Sequence, residues 1–187
     1  MDRLKDKVAI ITGGSKGLGE EIAKCFAREG AKVAICGDID IASGERVVSE
    51  VRAKGGDIEF YRCDVTKEDQ VVDFFRKVEE RFGKIDILVN NAGATGPGEN
   101  PDEITMEGYD MDLDARGSFI CAKHVIQYFR KIGGGNIINM ASICALKAEV
   151  PGLAPYHIAK AAVLMMSKVF AMSYAKENIR CNSICPG

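Results

Sequence analysis

Short runs of β-branched and apolar residues alternate along this chain with longer segments in which apolar positions recur every three or four residues. The short runs lie at 8–12 (Val-Ala-Ile-Ile-Thr), 32–36, 58–63, 85–89, 136–140 and 179–184. The helical period occupies about 17–29, 41–54, 67–82, 105–131 and 155–177, with Gly30, Gly55-Gly56, Gly83 and Gly133-Gly134-Gly135 near the ends. Strands alternating with helices of this length predict βαβ units on a parallel sheet. Six strands and five main connections predict a doubly wound α/β sheet with helices on both faces. No linker, repeat or low-complexity segment divides the chain, so a single domain over 1–187 is expected. The long irregular stretches, 94–104 and 142–155, both follow strands, where ligands sit in such sheets.

Composition narrows the partners. With 47% hydrophobic and 28% charged residues, the chain has the make-up of a soluble globular protein. The net charge of -2 is dispersed, and no basic stripe is present to neutralise a run of phosphates, so no nucleic-acid partner is expected. Residues 1–7 alternate charges instead of leading into an apolar core, which predicts neither secretory signal nor transit peptide and a cytoplasmic location. The longest apolar stretch, 161–172, is interrupted by Ser167 and Lys168 and reads as a buried helix too short to span a membrane. Of seven cysteines, Cys36, Cys63 and Cys181 fall in strand-like runs and serve as small hydrophobes. Cys181 and Cys185 do not have zinc spacing, and only His124 and His157 could complete a site, so no metal is expected.

The first chemical signal is the segment after the first strand, Thr12-Gly13-Gly14-Ser15-Lys16-Gly17-Leu18-Gly19, followed by an amphipathic helix. Glycines 13, 17 and 19 permit a tight turn, close approach of backbone to a pyrophosphate, and close packing of helix on strand. The helix N-terminus offers unpaired N–H groups to the anion. Glycines alone are weak evidence; the order strand, loop, helix is what points to a dinucleotide and a Rossmann-type sheet. Asp38 follows the second strand, 19 residues past Gly19, where an acidic side chain can accept hydrogen bonds from the adenosine ribose and repel a 2'-phosphate. Asp40 competes with it as a plain turn residue, and Lys16 pulls the other way, toward a 2'-phosphate. NAD(H) is expected over NADP(H).

These features join others in a fixed order: Asp64-Val65 after the third strand, Asn90-Asn91-Ala92-Gly93 after the fourth, Ser142 after the fifth, Tyr156-x-x-x-Lys160, and Pro186-Gly187 after the sixth. With that set the chain resembles the short-chain dehydrogenases/reductases from Lys5 to its last residue. The resemblance implies hydride transfer between NAD(H) and a secondary alcohol or ketone. It assigns the cofactor to Gly13, Ser15, Lys16, Gly17, Leu18, Gly19 and Asp38, with Asp64 and Val65 at the adenine. Asn90, Ala92 and Gly93 line the groove, with Pro186 and Gly187 beyond. Tyr156 becomes the general acid/base, Ser142 the holder of the substrate oxygen, and Lys160 the partner of Tyr156 and of the nicotinamide ribose. Tyr156 and Lys160 are four apart on one helix and share a face. A phenol titrating ordinarily near about 10 has its anion favoured by a neighbouring ammonium and the oxidised nicotinamide ring.

One departure stands out. Where the family usually has Asn on the long helix, this chain has Leu113-Asp114-Ala115-Arg116-Gly117, and the stretch from Tyr109 to Asp114 looks two residues short. Asp114 is expected to pair with the Lys160 ammonium and weaken its effect on Tyr156, so that Asp114→Asn raises, or does not reduce, turnover. The resemblance also implies a substrate-covering loop, helices and a seventh strand beyond Gly187. From this the sequence predicts an exposed edge at 179–184 and a chain that keeps its dinucleotide site but turns over poorly. The alternative is a dinucleotide-binding pseudoenzyme or assembly module without turnover. The family commonly pairs through its two long helices, and the thin polar face between Ala161 and Ala175 predicts a homodimer or homotetramer. The substrate is expected to be a small-molecule alcohol or carbonyl compound whose identity the sequence leaves open.

Overall fold

The computed structural model describes residues 2–95, 98, 100–105 and 112–187. The alternation becomes β1 (Val8–Thr12), α1 (Gly17–Arg28), β2 (Lys32–Gly37), α2 (Ile41–Arg52), β3 (Ile58–Arg62), α3 (Glu68–Phe82), β4 (Ile87–Asn90), α4 (Gly117–Lys131), β5 (Gly135–Met140), α5 (Ala154–Tyr174) and β6 (Ile179–Ile184). The strands form one sheet ordered β3-β2-β1-β4-β5-β6, and every pairing is parallel. This is the doubly wound sheet that the sequence predicts, with β3 and β6 as its edges. Of the expected 105–131 helix, residues 106–111 lie outside the described residues, among them the first half of the 109–114 stretch that the sequence makes short. The described part begins as a π-helical turn, Asp112–Arg116, and becomes α-helical at Gly117.

Because successive strand residues point to opposite faces, the sheet has two cores. Ala9, Ile11, Val33, Ile35 and Val89 pack toward α1 and α2, where Ala23, Val47 and Val51 meet them. Ile10, Ala34, Leu88 and Ile137 face the other way, against Phe74, Phe75, Val125, Phe129 and Phe170 of α3, α4 and α5. The continuous helix and 3-10 turn at 154–177, 24 residues containing an 18-residue window of mean hydropathy 1.3, is long and apolar enough to cross a membrane by length and composition alone. That corrects the shorter apolar segment inferred from Ser167 and Lys168. Ser167 turns inward and is 3% exposed, beside Val163 and Phe170, but only 28% of the apolar window is buried, so the buried helix expected from sequence buries one face along β6 and leaves the rest exposed.

On the α3–α5 face the apolar series ends in polar residues at the carboxyl ends of the strands. Ile10 is followed two positions on by Thr12, Leu88 by Asn90, Ile137 by Asn139, and Cys181 by Ser183. Asn90 pairs in register with Asn139, and Asn139 with Ser183. Asn90 Nδ2 donates to Asn139 Oδ1 at 2.8 Å, and Asn139 Nδ2 donates to Ser167 Oγ at 2.7 Å. Ser183 Oγ donates to Ser167 Oγ at 2.6 Å, and Ser167 Oγ donates to the Val163 carbonyl at 2.9 Å. Burial pushes the neighbouring Cys181 thiol up to about 11, so it stays a neutral filler in this layer. A buried polar layer of this kind holds three strands and α5 in one arrangement, because any shift leaves donors unsatisfied in a low-dielectric interior.

Asn139→Ala therefore removes acceptor and donor together and leaves one Asn90 N–H and one Ser167 lone pair unpaired. It should lower the free energy of unfolding by about 1–3 kcal/mol, measured as a drop in the urea midpoint at unchanged slope. Ser183→Ala, at the partly exposed end of the layer, should cost less than about 1 kcal/mol.

Candidate active site

The strand order reverses between β1 and β4, so a crevice opens at their carboxyl ends. The two ends are tied by side chains. Thr12 Oγ1 accepts hydrogen bonds from the backbone N–H groups of Asn91 and Ala92, both at 3.0 Å. Asn91 Nδ2 returns two, to the carbonyls of Thr12 at 3.0 Å and Gly13 at 3.2 Å. Gly13 itself is left-handed, φ 63°, and a Cβ there would lie 2.8 Å from Ala92 Cα. A Cβ at Gly19 would run into the Gly13 carbonyl oxygen and Asn91 Nδ2, so this glycine lets α1 start directly against the β1–β4 junction. Lys16, at the N-cap, has extended backbone and provides no side-chain cap, which leaves the first N–H groups of α1 facing the crevice.

A cleft of about 190 Å³ runs along this junction, lined by Gly13, Ser15, Lys16, Asp38, Val65, Ala92 and Gly93 among others. Ser15 Oγ is buried there and has no hydrogen-bond partner among the described residues. A buried hydroxyl without a partner is costly unless something in the cleft completes it, and a phosphate or ribose oxygen has the chemistry to do so. Asp38 is exposed at the rim, whereas its competitor Asp40 caps α2 by accepting the Ser43 N–H at 3.0 Å. That N–H holds the Asp40 carboxyl below the usual range. On the cleft floor Cys36 touches Cys63, and this contact together with burial keeps its thiol protonated. Asp64 builds the turn after β3, accepting from Thr66 N at 2.9 Å and Thr66 Oγ1 at 2.7 Å, while Val65 is buried at the cleft wall. Leu18 is exposed on the first turn of α1, next to the flexible Gly17.

The second half of the site gathers where β4, β5 and α5 meet. Ser142 follows β5, is 7% exposed, and accepts the Cys144 N–H at 3.2 Å as the cap of a short 3-10 turn, Ile143–Ala145. That turn packs on α5. Pro155 starts α5, its fixed φ suiting the first helical turn. Tyr156 follows half-buried, and Lys160 comes one turn later on the same face. Lys160 Nζ lies 5.5 Å from the Tyr156 ring centre, donates to the Met140 carbonyl at 3.0 Å, and forms an ion pair with Asp114 at 2.6 Å. Both partners of the pair have side chains 7% exposed. Pro186 contributes through its backbone: its carbonyl accepts the Ile143 N–H at 2.8 Å, and Gly187 lies against Ile143.

One side chain assigned to the groove points elsewhere. Asn90, placed in the groove by resemblance, points inward at 2% exposure, and its Nδ2 donates to the Ser118 carbonyl at 3.1 Å and to Asn139. Strand alternation turns position 90 into the polar layer, and Asn91, one residue on, reaches the glycine loop. Asn91, Thr12 and Asn139 were therefore missed as site-building residues. The signal was present: an Asn-Asn pair and a Thr at strand ends are polar residues where the sequence is otherwise apolar.

Comparison with known proteins agrees with this geometry. The profile described as short chain dehydrogenase matches residues 7–187. A 3β-hydroxysteroid dehydrogenase of Mediterraneibacter gnavus is 34% identical over 188 residues, covering all of this chain and 67% of that enzyme. A 3-oxoacyl-[acyl-carrier-protein] reductase of Thermotoga maritima is 36% identical, covering 99% of this chain and 75% of its own. A solved structure of a 7α-hydroxysteroid dehydrogenase in complex with NADH and 7-oxo glycochenodeoxycholic acid superposes with TM-score 0.93 at 35% identity, over 99% of this chain and 72% of that one.

Gly19→Ala tests the junction. Its methyl group would push α1 off Gly13 and Asn91, so NADH binding measured by fluorescence titration should fall by at least about tenfold, equivalent to 1.4 kcal/mol. Gly17→Ala, with open space around its Cβ position, should carry only the strain of its positive φ, lowering the thermal midpoint with a smaller effect on binding.

Proposed function

The chain belongs to the short-chain dehydrogenase family and is an oxidoreductase of alcohol and carbonyl groups; we propose that it uses NAD(H) in preference to NADP(H), with Ser142, Tyr156 and Lys160 as its catalytic residues. The observations that support this are the uncapped α1 N-terminus and the Ser15 hydroxyl at the cleft, and Lys160, whose Nζ stands beside the cleft residue Gly93 with the Tyr156 ring 5.5 Å away.

The bound nicotinamide supplies the hydride acceptor for oxidation and the donor for reduction. Tyr156 moves the proton at the substrate oxygen, taking it from an alcohol and giving it to a carbonyl. The Lys160 ammonium stands 5.5 Å from the phenol ring centre, one helical turn on. Ser142, fixed by its place between β5 and the 3-10 turn, holds the substrate oxygen by a hydrogen bond. The residues proposed for the dinucleotide are Gly13, Ser15, Lys16, Gly17, Leu18 and Gly19 at the pyrophosphate, and Asp38, Asp64 and Val65 around the adenosine. Ala92, Gly93, Pro186 and Gly187 flank the nicotinamide end, where Lys160 meets the ribose. The hydroxysteroid dehydrogenases among the relatives favour a secondary alcohol on a ring system as substrate, with the acyl reductase as the competing class.

The preference for NAD(H) rests on Asp38, whose exposed carboxylate would stand against a 2'-phosphate while Asp40 is committed to capping α2. Self-association belongs to the same proposal. Ile158, Met165, Val169 and Met172 form an exposed apolar stripe on α5, with Phe119 of α4 packed edge-on to Phe170 beside it. A second copy of this chain is the occupant the family resemblance favours.

The test is absorbance of the reduced nicotinamide during incubation with cyclic secondary alcohols, hydroxysteroids among them, with each cofactor. NAD reduction is expected, with NADP at least about tenfold poorer. Asp38→Ser should narrow that ratio by removing the repulsion. A wild-type preference for NADP, or a ratio unmoved by Asp38→Ser, contradicts the assignment.

A further inference from the structure

We propose that the Asp114 carboxylate is a two-ended clamp that fixes Lys160 against the Gly93–Ala94 turn and so positions the lysine for the nicotinamide-ribose end of the cleft. This rests on the dinucleotide reading above and goes beyond it by giving Asp114 a positioning role.

The clamp is visible in how the carboxylate uses its two oxygens. Oδ1 is the one 2.6 Å from Lys160 Nζ, and Oδ2 accepts the Ala94 N–H at 3.3 Å. Gly93 lies between the two contacts. A Cβ there would strike Asp114 Oδ1 and lie 3.1 Å from Lys160 Nζ, so the turn after β4 closes on the ion pair only because position 93 is glycine. Asp114 reaches this point from a π-helical turn, a widened turn of the kind found at functional positions in helices. Three segments distant in sequence, at 93–94, 114 and 160, are thereby joined at one carboxylate.

The clamp matters because of what a buried lysine otherwise does. A flexible four-carbon side chain loses rotamer entropy when held in one place, and a buried ammonium without a counter-charge is expensive. Asp114 provides the counter-charge, and the Met140 carbonyl takes one of the three N–H groups. The remaining donors are held at the cleft wall beside Gly93, which lines the dinucleotide cleft. An asparagine cannot reproduce this, since its amide has one acceptor oxygen and would turn an N–H toward either Lys160 or Ala94. The expectation from sequence, that Asp114→Asn does not reduce turnover, then holds only at saturating dinucleotide.

The test compares NADH with ADP, which probes the adenosine half alone, by binding titration on the purified chain. Asp114→Asn should weaken NADH about tenfold and change ADP less than about twofold, with KM for NAD raised and kcat not lowered. Gly93→Ala should reproduce the NADH-specific loss by wedging the same contacts, and it decides the matter if Asp114→Asn does not fold. In a Lys160→Met background, Asp114→Asn should add no further loss, because the clamp acts through the lysine. NADH affinity unchanged in Asp114→Asn, equal losses for NADH and ADP, or additive effects in the double variant would each overturn the clamp. Failure of the wild-type chain to bind either nucleotide would instead overturn the dinucleotide reading itself.

Discussion

The joining of the β1 and β4 ends by Thr12 and Asn91 is the constraint on which the rest of this structure depends. A doubly wound parallel sheet has a crevice wherever its strand order reverses, but the crevice is useful only if its two walls keep a fixed separation. Here four short hydrogen bonds cross between the walls. They set Gly13 against Ala92 and bring the start of α1 onto the junction. The glycine loop, Asp38 and Gly93 are all placed relative to that knot.

Below the knot the polar layer does similar work on the catalytic side. Ser142 follows β5 directly, and Lys160 is carried by α5. The Asn139–Ser167 hydrogen bond ties those two elements together one turn beneath the site. The Met140 carbonyl, on the last residue of β5, then receives the lysine. Tyr156 is therefore placed indirectly, by a helix whose inner face is locked to the sheet.

Most of the fold was legible because its determinants are local. Apolar runs of five or six residues, glycine stops and helical period mark every described strand, and the boundaries moved by only a residue or two, as at β4, which begins at Ile87 and ends at Asn90. The glycine loop and the Tyr156–Lys160 spacing were legible for the same reason. What a linear reading misses is the direction of a side chain at a strand end and the partner it meets from far along the chain. Asn90 and Asn91 are adjacent and chemically identical, yet alternation sends one into the core and the other to the loop. That Asp40 caps α2 is likewise visible only from the Ser43 N–H that donates to it. Asp114 stood out in sequence as a departure, but its second contact, at Ala94, depends on a turn that pattern alone does not place.

The central claim is that one crevice binds the dinucleotide while Tyr156 moves the proton, two tasks carried by separable groups. Tyr156→Phe measures that separation most directly, because it removes a hydroxyl and leaves the ring and the Lys160 environment in place. The account predicts NADH affinity within about twofold of wild type and turnover lowered by at least about a hundredfold. Turnover that survives the substitution, or NADH binding that is lost with it, would contradict the account.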